Sequence, residues 1–501
     1  METPYDVVVV GAGPVGLATA LGLRQRGVDN LLVVEQAHTF RRVGQVVDLL
    51  PNGLKALKYL HPKAYEEVKR AAGGFHNPPQ ANQKTIEPIT QPQNSPKTTP
   101  SWVYKNLKGQ PIRSLSLNYN HWLNEYGEGR VSIPWYDLQT TLRHLLPQDR
   151  VKVNHRCVNL VEEPESRYIR VECLSNTGTA ANPYAHWAVK PQQNGSQTQT
   201  SEIFSPPSET KTIWARLVVA ADGINSMVRR VLYQDCPYSA YARPEYSGFA
   251  AIGCTDMGEA TNDLEPVLQD LFLQNLPLVT ISNHQACTDS VCIEAPRIML
   301  FRRPNGQVGY LMHAALPLDL LQRMSGEPLI NLALQTLEKA GFPSVLRQLV
   351  QLSPPVNLLK RPYYIHRAVI SDTVPLPSTA IAHSKGHTVG IQPAWSTGRV
   401  VLVGDAAHGM PPFTAQGANQ GFEDAAAVAT LVAHIGAENH WDDPQAVAAA
   451  FEKYVQLRRP FMVKVQQATM EQLTFRSEKE WRTFAQQVYC RNLDRVMEAL
   501  L

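Results

Sequence analysis

The residues best placed to do chemistry stand within the first 35 positions. Gly11-Ala12-Gly13-Pro14-Val15-Gly16 follows directly on the apolar run YDVVVV at 5–10. A first glycine permits a tight turn, a second lets a backbone approach a pyrophosphate, and a third lets a helix pack close to a strand. Pro14 and Val15 open the helix that follows, and the amides at such a helix start point at phosphate oxygens. Glu35 ends a second apolar run, Leu31–Glu35. A carboxylate there accepts hydrogen bonds from both ribose hydroxyls and would repel a 2′-phosphate. A glycine-rich turn of an unrelated α/β protein carries the same spacing, but here strand, helix and acid all fall where dinucleotide binding needs them.

Two later segments carry more. Leu217–Arg230 reads LVVAADGINSMVRR, and Gly398–Asp424 reads GRVVLVGDAAHGMPPFTAQGANQGFED. Taken alone, Asp222-Gly223 is an ordinary turn. Taken in order with the glycine loop, the segments resemble the class A FAD-dependent aromatic-ring monooxygenases. These include the salicylate and hydroxybenzoate hydroxylases and the ubiquinone-biosynthesis hydroxylases. The resemblance implies that Asp222 and Arg229 lie near the flavin and pyridine-nucleotide pyrophosphates, with Gly223 and Ser226 matching as well. It implies that Gly404 and Asp405 meet the ribitol, and that Pro411 fixes a loop facing the isoalloxazine. Gln416, Gly417 and Ala418 would start a helix whose amides point at the flavin and stabilise its anionic reduced form. His408 belongs to this motif in a structural role rather than as acid or base.

The match is looser at Phe40–Asn52, where Arg41 and the Gln45 backbone would approach the cofactor, with solvated Arg41 and Arg42 as the less favoured reading. Two departures stand out. Ala415 takes a position usually held by glycine, so the loop path is expected to differ slightly. Trp135 stands where relatives often place an FAD-contacting arginine, so either another arginine substitutes or that contact is missing. The resemblance covers roughly 1–75, 130–235 and 385–460.

What it implies is NAD(P)H-driven flavin reduction, reaction with dioxygen to a C4a-hydroperoxyflavin, and hydroxylation or epoxidation of an aromatic or polyprenyl-type hydrophobic substrate. The cofactor carries the chemistry, so no protein acid–base or nucleophilic set is required and no catalytic residue is assigned. No second GxGxxG exists, which disfavours enzymes with a separate NADPH domain. Two alternatives stay open: a non-oxygenating FAD oxidoreductase such as a double-bond reductase or cyclase, and a non-enzymatic, redox-responsive flavoprotein.

These residues need an α/β scaffold. A Rossmann-like FAD-binding domain is expected at 1–236, with polar insertions near 77–100 and 175–211, and again at 386–440. A mainly β substrate domain is expected at 237–385, where Tyr246, Phe249, Phe301, Tyr310, Met312, Tyr363 and Tyr364 are candidates for a pocket or for core. A helical segment is expected at 441–501, packed on the protein body, with Pro460 starting a new helix or kinking one; a dimer or membrane-surface helix is the rival reading. The chain of 501 residues is long enough for two or three domains, and its net charge of +3 gives no electrostatic case for nucleic acid. Seven scattered cysteines without C-x-x-C spacing suggest mostly reduced, buried thiols in a cytoplasmic setting; Cys287 and Cys292 are close enough for a local disulfide or a metal site, but no His pair lies at ligand spacing beside them and no metal is expected. No apolar stretch approaches a bilayer span, so a soluble protein is expected, with peripheral membrane contact open.

Overall fold

The computed structural model describes residues 3–40, 45–76, 100–163, 167–175, 209–258, 263–283, 295–303, 306–370, 391–471 and 478–501. Most of the two polar insertions, Arg41, Arg42, Cys287 and Cys292 lie outside the described residues. The chain divides into two compact units. One comprises Met1–Pro78, Tyr126–Glu245 and Tyr364–Leu501; the other comprises Pro79–Glu125 and Tyr246–Tyr363.

The first unit is built on an eight-stranded sheet. The run Tyr5–Val10 is its central parallel strand, and Val7, Val8 and Val9 are wholly buried. A strand covered on both faces reads as continuous valine rather than as alternation. It pairs in parallel with Leu31–Val34 on one side (Val8↔Leu32) and with Glu209–Ala220 on the other (Val8↔Val218). The latter pairs in turn with Val400–Leu402 (Val218↔Val400). Three adjacent parallel strands therefore deliver Gly11, Asp222 and Gly404 to the same carboxyl edge of the sheet, the place where open α/β sheets bind ligands. Helix Pro14–Gln25 follows the first strand, and helix Gly417–Ala437 packs against it. A Cβ at Gly421 would overlap the Val15 side chain.

Helix Pro444–Met470 runs unbroken through Pro460, so the proline does not start a new helix. It is followed by Glu478–Tyr489 and Leu493–Glu498. Phe451, Tyr454, Met462, Val465, Trp481 and Tyr489 are buried. Tyr454 donates to the Leu402 carbonyl at 3.0 Å, and Lys55 Nζ donates to the Tyr489 carbonyl at 2.7 Å. The tail is thus part of the first unit.

The second unit is a seven-stranded sheet in the order Leu358–Ile365, Glu245–Cys254, Val308–Ala315, Arg297–Arg302, Leu278–Ser282, Ser101–Lys105, Pro111–Ser116. Its last two strands come from before residue 125, in a stretch expected to belong to the first domain. Ser101–Lys105 lies parallel to Leu278–Ser282, a pairing too distant in sequence for local pattern to show. One sheet face, carrying Ile252, Ile281, Leu300, Tyr310 and Met312, shares a core with Leu321, Leu329, Leu337 and Leu346 from the helices Leu318–Arg323, Glu327–Lys339 and Ser344–Gln351. Tyr310 and Met312 are therefore core residues. Strand alternation puts Phe249, Thr280, Arg297, Phe301 and His313 on the opposite face. His313 Nε2 lies 3.0 Å from the Tyr363 hydroxyl, and burial, aided by Arg297, pushes its pKa down to about 3.

Candidate functional site

The glycine loop has the geometry its spacing requires. Gly11 has φ +103°, and an added Cβ would meet the Ala221 carbonyl oxygen at 2.5 Å. A Cβ on Gly16 would overlap the Gly11 carbonyl oxygen. A Cβ on Gly13 would meet nothing within 4 Å, so this side of the loop is open to an approaching group. Helix Pro14–Gln25 starts with proline, without an acid in its first turn and without a side-chain cap among the described residues. Its first amides are left for a ligand. Glu35 sits at the end of the neighbouring strand. Its Oε2 accepts from Ala12 N at 2.8 Å and its Oε1 from Ala37 N at 2.9 Å. Burial raises its pKa; the backbone amides oppose that shift and the Asp222 carboxylate adds to it. Gln139, from helix Trp135–His144, donates to the Ala12 carbonyl at 2.7 Å and braces the loop from behind.

Asp222 stands at the next strand end. One carboxylate oxygen accepts from Met227 N at 2.7 Å and Val228 N at 3.2 Å, capping helix Met227–Leu232. Its Oδ1 is buried and has no hydrogen-bond partner among the described residues. Arg229 departs from expectation. It is buried, with its guanidinium donating to the carbonyls of Tyr241, Ala406 and Ala407, each at 3.0 Å. Three backbone acceptors and the Tyr233 ring occupy it, so it braces the Asp405 turn instead of facing a phosphate. Spacing could place Arg229 near that turn but could not show which way its side chain runs.

The third strand end carries Gly404 and Asp405. Asp405 starts the short helix Asp405–His408 and is exposed, yet enough protein surrounds its carboxyl to raise its pKa; His408 opposes that shift and Asp424 reinforces it. Pro411 leads into the turn Pro412–Thr414, and helix Gly417–Ala437 begins three residues later with no side-chain cap among the described residues. A Cβ on Gly417 would lie 3.7 Å from Asp405 Oδ1, so the carboxylate and this helix start are neighbours. Ala418 lies in the first turn. The Gln416 side chain turns inward, its Oε1 accepting from Asn52 at 3.1 Å and Gln420 at 2.7 Å, so only its backbone belongs to the loop surface. His408 is buried, its Nε2 2.5 Å from Asp424 Oδ2. That closes it off as a base and gives it a structural role.

Ala415 corrects the expected loop path. It adopts φ +52° and ψ +31°, the left-handed conformation a glycine would take, with its carbonyl held by Asn419 Nδ2 at 2.6 Å. The path is that of glycine, and the alanine bears the strain. Ala415→Gly is therefore expected to raise the melting temperature, because a non-glycine residue in this region costs about 1–2 kcal/mol against a smaller loss from added chain freedom in the unfolded state. A lowered melting temperature would show that the alanine is not strained.

Trp135 donates its backbone N–H to the Gln45 carbonyl at 3.0 Å, joining the start of its helix to the segment after the second strand. Of the arginines near this helix, Arg130 is on Asp48 and Arg143 on the carbonyls of Leu146 and Gln148. Neither takes the place of the arginine that Trp135 displaces.

The structure thus gathers Gly11–Gly16, Glu35, Asp222, Asp405 and the Gln416–Ala418 helix start on one edge of one sheet. Its open Gly13 side, orphaned Asp222 oxygen, exposed Asp405 carboxylate and two uncapped helix starts fit an extended dinucleotide such as FAD. Among the described residues no cluster of His, Cys, Asp or Glu fits a metal ion, and no helix is long and apolar enough to cross a membrane. Sequence reading missed Gln139, Asn52, Asp424 and Arg458. The last two carried a signal: an acidic pair, Glu423-Asp424, in an otherwise apolar helix, and an arginine pair at 458–459.

Comparison with known proteins agrees with this geometry. The FAD binding domain family matches residues 4–45 and 363–469. The 3-amino-4-hydroxybenzoate 2-monooxygenase of Streptomyces cremeus is 26% identical over 472 residues, covering 93% of this chain and 86% of that protein. Salicylate hydroxylase of Pseudomonas putida is 42% identical over 85 residues, 17% of this chain and 18% of its own. A salicylate hydroxylase substrate complex superposes with a TM-score of 0.60 at 18% identity, covering 100% of this chain and 99% of the other, a likeness of fold.

Proposed function

We propose, from the premise that this chain is an FAD-dependent monooxygenase of the class A flavoprotein family, that it hydroxylates an electron-rich aromatic ring at the expense of NAD(P)H and dioxygen. The observation that carries this reading is the similarity to an aminohydroxybenzoate monooxygenase along 93% of the chain, with the cofactor loops in place at one sheet edge. A phenolic or aminophenolic arene is the substrate class it favours, since oxygen transfer from a flavin is electrophilic and needs a ring rich in electrons.

Bound FAD supplies two-electron transfer from the pyridine nucleotide and activation of dioxygen. The chain's own work is binding, orientation and electrostatics. The glycine loop and the first helix start would hold the pyrophosphate. Glu35 would accept from ribose hydroxyls, and Asp405 would accept from the ribitol. The helix start at Gly417 and Ala418 would place partial positive charge beside the negative charge that reduction brings. No protein acid or base is assigned to the ring-hydroxylation step, and His408, sealed against Asp424, is not one.

The test is turnover of hydroxybenzoates and aminophenols with isotopically labelled dioxygen. The expected result is substrate-stimulated NAD(P)H oxidation with one labelled oxygen atom in the product. Turnover that proceeds equally well without dioxygen, or gives unlabelled product, overturns the proposal in favour of a reductase.

A further inference from the structure

Helix Gly417–Ala437 is apolar along most of its length, yet Glu423 and Asp424 are adjacent in it and both are wholly buried. Two neighbouring carboxylates in a core are costly unless a cation and hydrogen bonds satisfy them. Arg458, itself 1% exposed, does this from helix Pro444–Met470. Its Nε donates to Asp424 Oδ1 at 2.7 Å, its Nη1 to Glu423 Oε2 at 2.7 Å, and its Nη2 to Gln420 Oε1 at 2.6 Å. The planar fork of arginine suits such multiple donation, which a lysine ammonium cannot reproduce.

Two limbs run from this guanidinium to the cofactor edge. In the first, Asp424 Oδ2 accepts from Gly404 N at 2.8 Å and contacts His408 Nε2 at 2.5 Å. Those two residues bracket Asp405. In the second, Glu423 Oε1 accepts from Asn52 Nδ2 at 2.9 Å, and the same Nδ2 donates to Gln416 Oε1 at 3.1 Å. Gln420, held by Arg458, donates to the same Gln416 oxygen at 2.7 Å. Gln416 immediately precedes the amides of Gly417 and Ala418. Arg491, on the connection between the last two helices, adds a second cation to Glu423 alone. It is the more accessible of the two arginines, its side chain 20% exposed.

We propose that Arg458 is a positioning residue that sets both the affinity for FAD and the reduction potential of the bound flavin, acting through Asp424 on Asp405 and through Glu423 and Gln420 on the helix start at Gly417. The carboxyl-terminal helices are in this sense part of the cofactor site. The inference rests on FAD binding, which titration of the unmodified protein in the same series tests separately.

The experiment compares Arg458→Lys and Arg491→Gln with the unmodified protein. FAD dissociation constants are measured by flavin fluorescence, and midpoint potentials by dye-coupled reductive titration. Arg458→Lys keeps one charge but loses the fork. It is expected to weaken FAD binding about tenfold or more, the scale of one lost charge-assisted hydrogen bond, and to lower the midpoint potential as the helix start drifts from the flavin. Arg491→Gln touches only the second limb, so its potential should fall while its dissociation constant stays close to that of the unmodified protein. Should Arg458→Lys fail to fold, the Arg491→Gln potential still decides the second limb. Unchanged FAD affinity and potential in the soluble variants, whatever their melting temperatures, would reduce the network to core packing and overturn the proposal.

Discussion

Replacing Gly16 by alanine will yield a protein that folds poorly and carries no FAD. The added Cβ overlaps the Gly11 carbonyl oxygen, a backbone atom that cannot swing aside as a flexible side chain would. The helix must move off the strand, and the whole glycine loop moves with it. Overpacking of this kind costs typically about 1–3 kcal/mol, and a backbone obstacle belongs at the upper end. Gly13→Ala is the informative partner, because a Cβ there meets no protein atom within 4 Å. Its apo-protein should melt like the unmodified apo-protein, while its FAD affinity drops about tenfold because the methyl group takes space meant for the pyrophosphate. Melting curves with and without FAD, and the flavin absorbance of purified protein, read both variants. A Gly13→Ala protein with full FAD affinity would show that the second glycine does not face the cofactor.

That contrast also shows why so much of the site could be read from sequence. The glycine loop, the Asp222 turn and the Asp405 turn are local: each is a strand end followed within several residues by a helix start, and backbone sterics restrict which residues stand there. The sheet then brings three such ends together because three buried strands share one register, Val8 beside Val218 beside Val400. What local pattern could not show is where long side chains go. Arg229 has the residue type for a phosphate contact, but its neighbours across the fold are the carbonyls of Ala406 and Ala407, far away in sequence. The Asp424–Arg458 pair was equally hidden, since helical periodicity marks Asp424 as a misplaced polar residue without naming what satisfies it. The strand Ser101–Lys105 was hidden for another reason, as its parallel neighbour Leu278–Ser282 is reached only through the second unit's topology. Ala415 shows the opposite limit: the strain was legible in the residue type, but whether the loop or the alanine would yield depended on the hydrogen bond from Asn419.

Asp405→Ala should cost the protein most of its FAD affinity while leaving the fold intact. Asp405 is exposed at the start of a short helix, so its removal leaves no sealed cavity. The effect falls on the ligand: a hydroxyl that loses a charged acceptor loses roughly 1.5–3 kcal/mol, or about tenfold to a hundredfold in dissociation constant. Asp405→Asn keeps the shape and one acceptor oxygen and should fall between. The pH dependence gives an independent reading. Burial raises the pKa of Glu35, and the protein surrounding the Asp405 carboxyl raises that of Asp405. A folded-state pKa above the unfolded value means that the apo-protein holds extra protons, so these groups contribute stability below the unfolded pKa that is lost as pH rises through the folded one. A cofactor whose hydroxyls donate to the ionised carboxylates has the opposite preference. FAD affinity should therefore fall as pH drops through a window above the ordinary carboxylate range of about 4, and that slope should be shallower in Asp405→Asn, with Glu35 left to titrate. Flavin fluorescence titrations across that range measure both effects. A dissociation constant unchanged in Asp405→Ala, together with a flat pH profile in the unmodified protein, would mean that this carboxylate does not meet the flavin side chain and that the loop after the third strand serves another part of the cofactor.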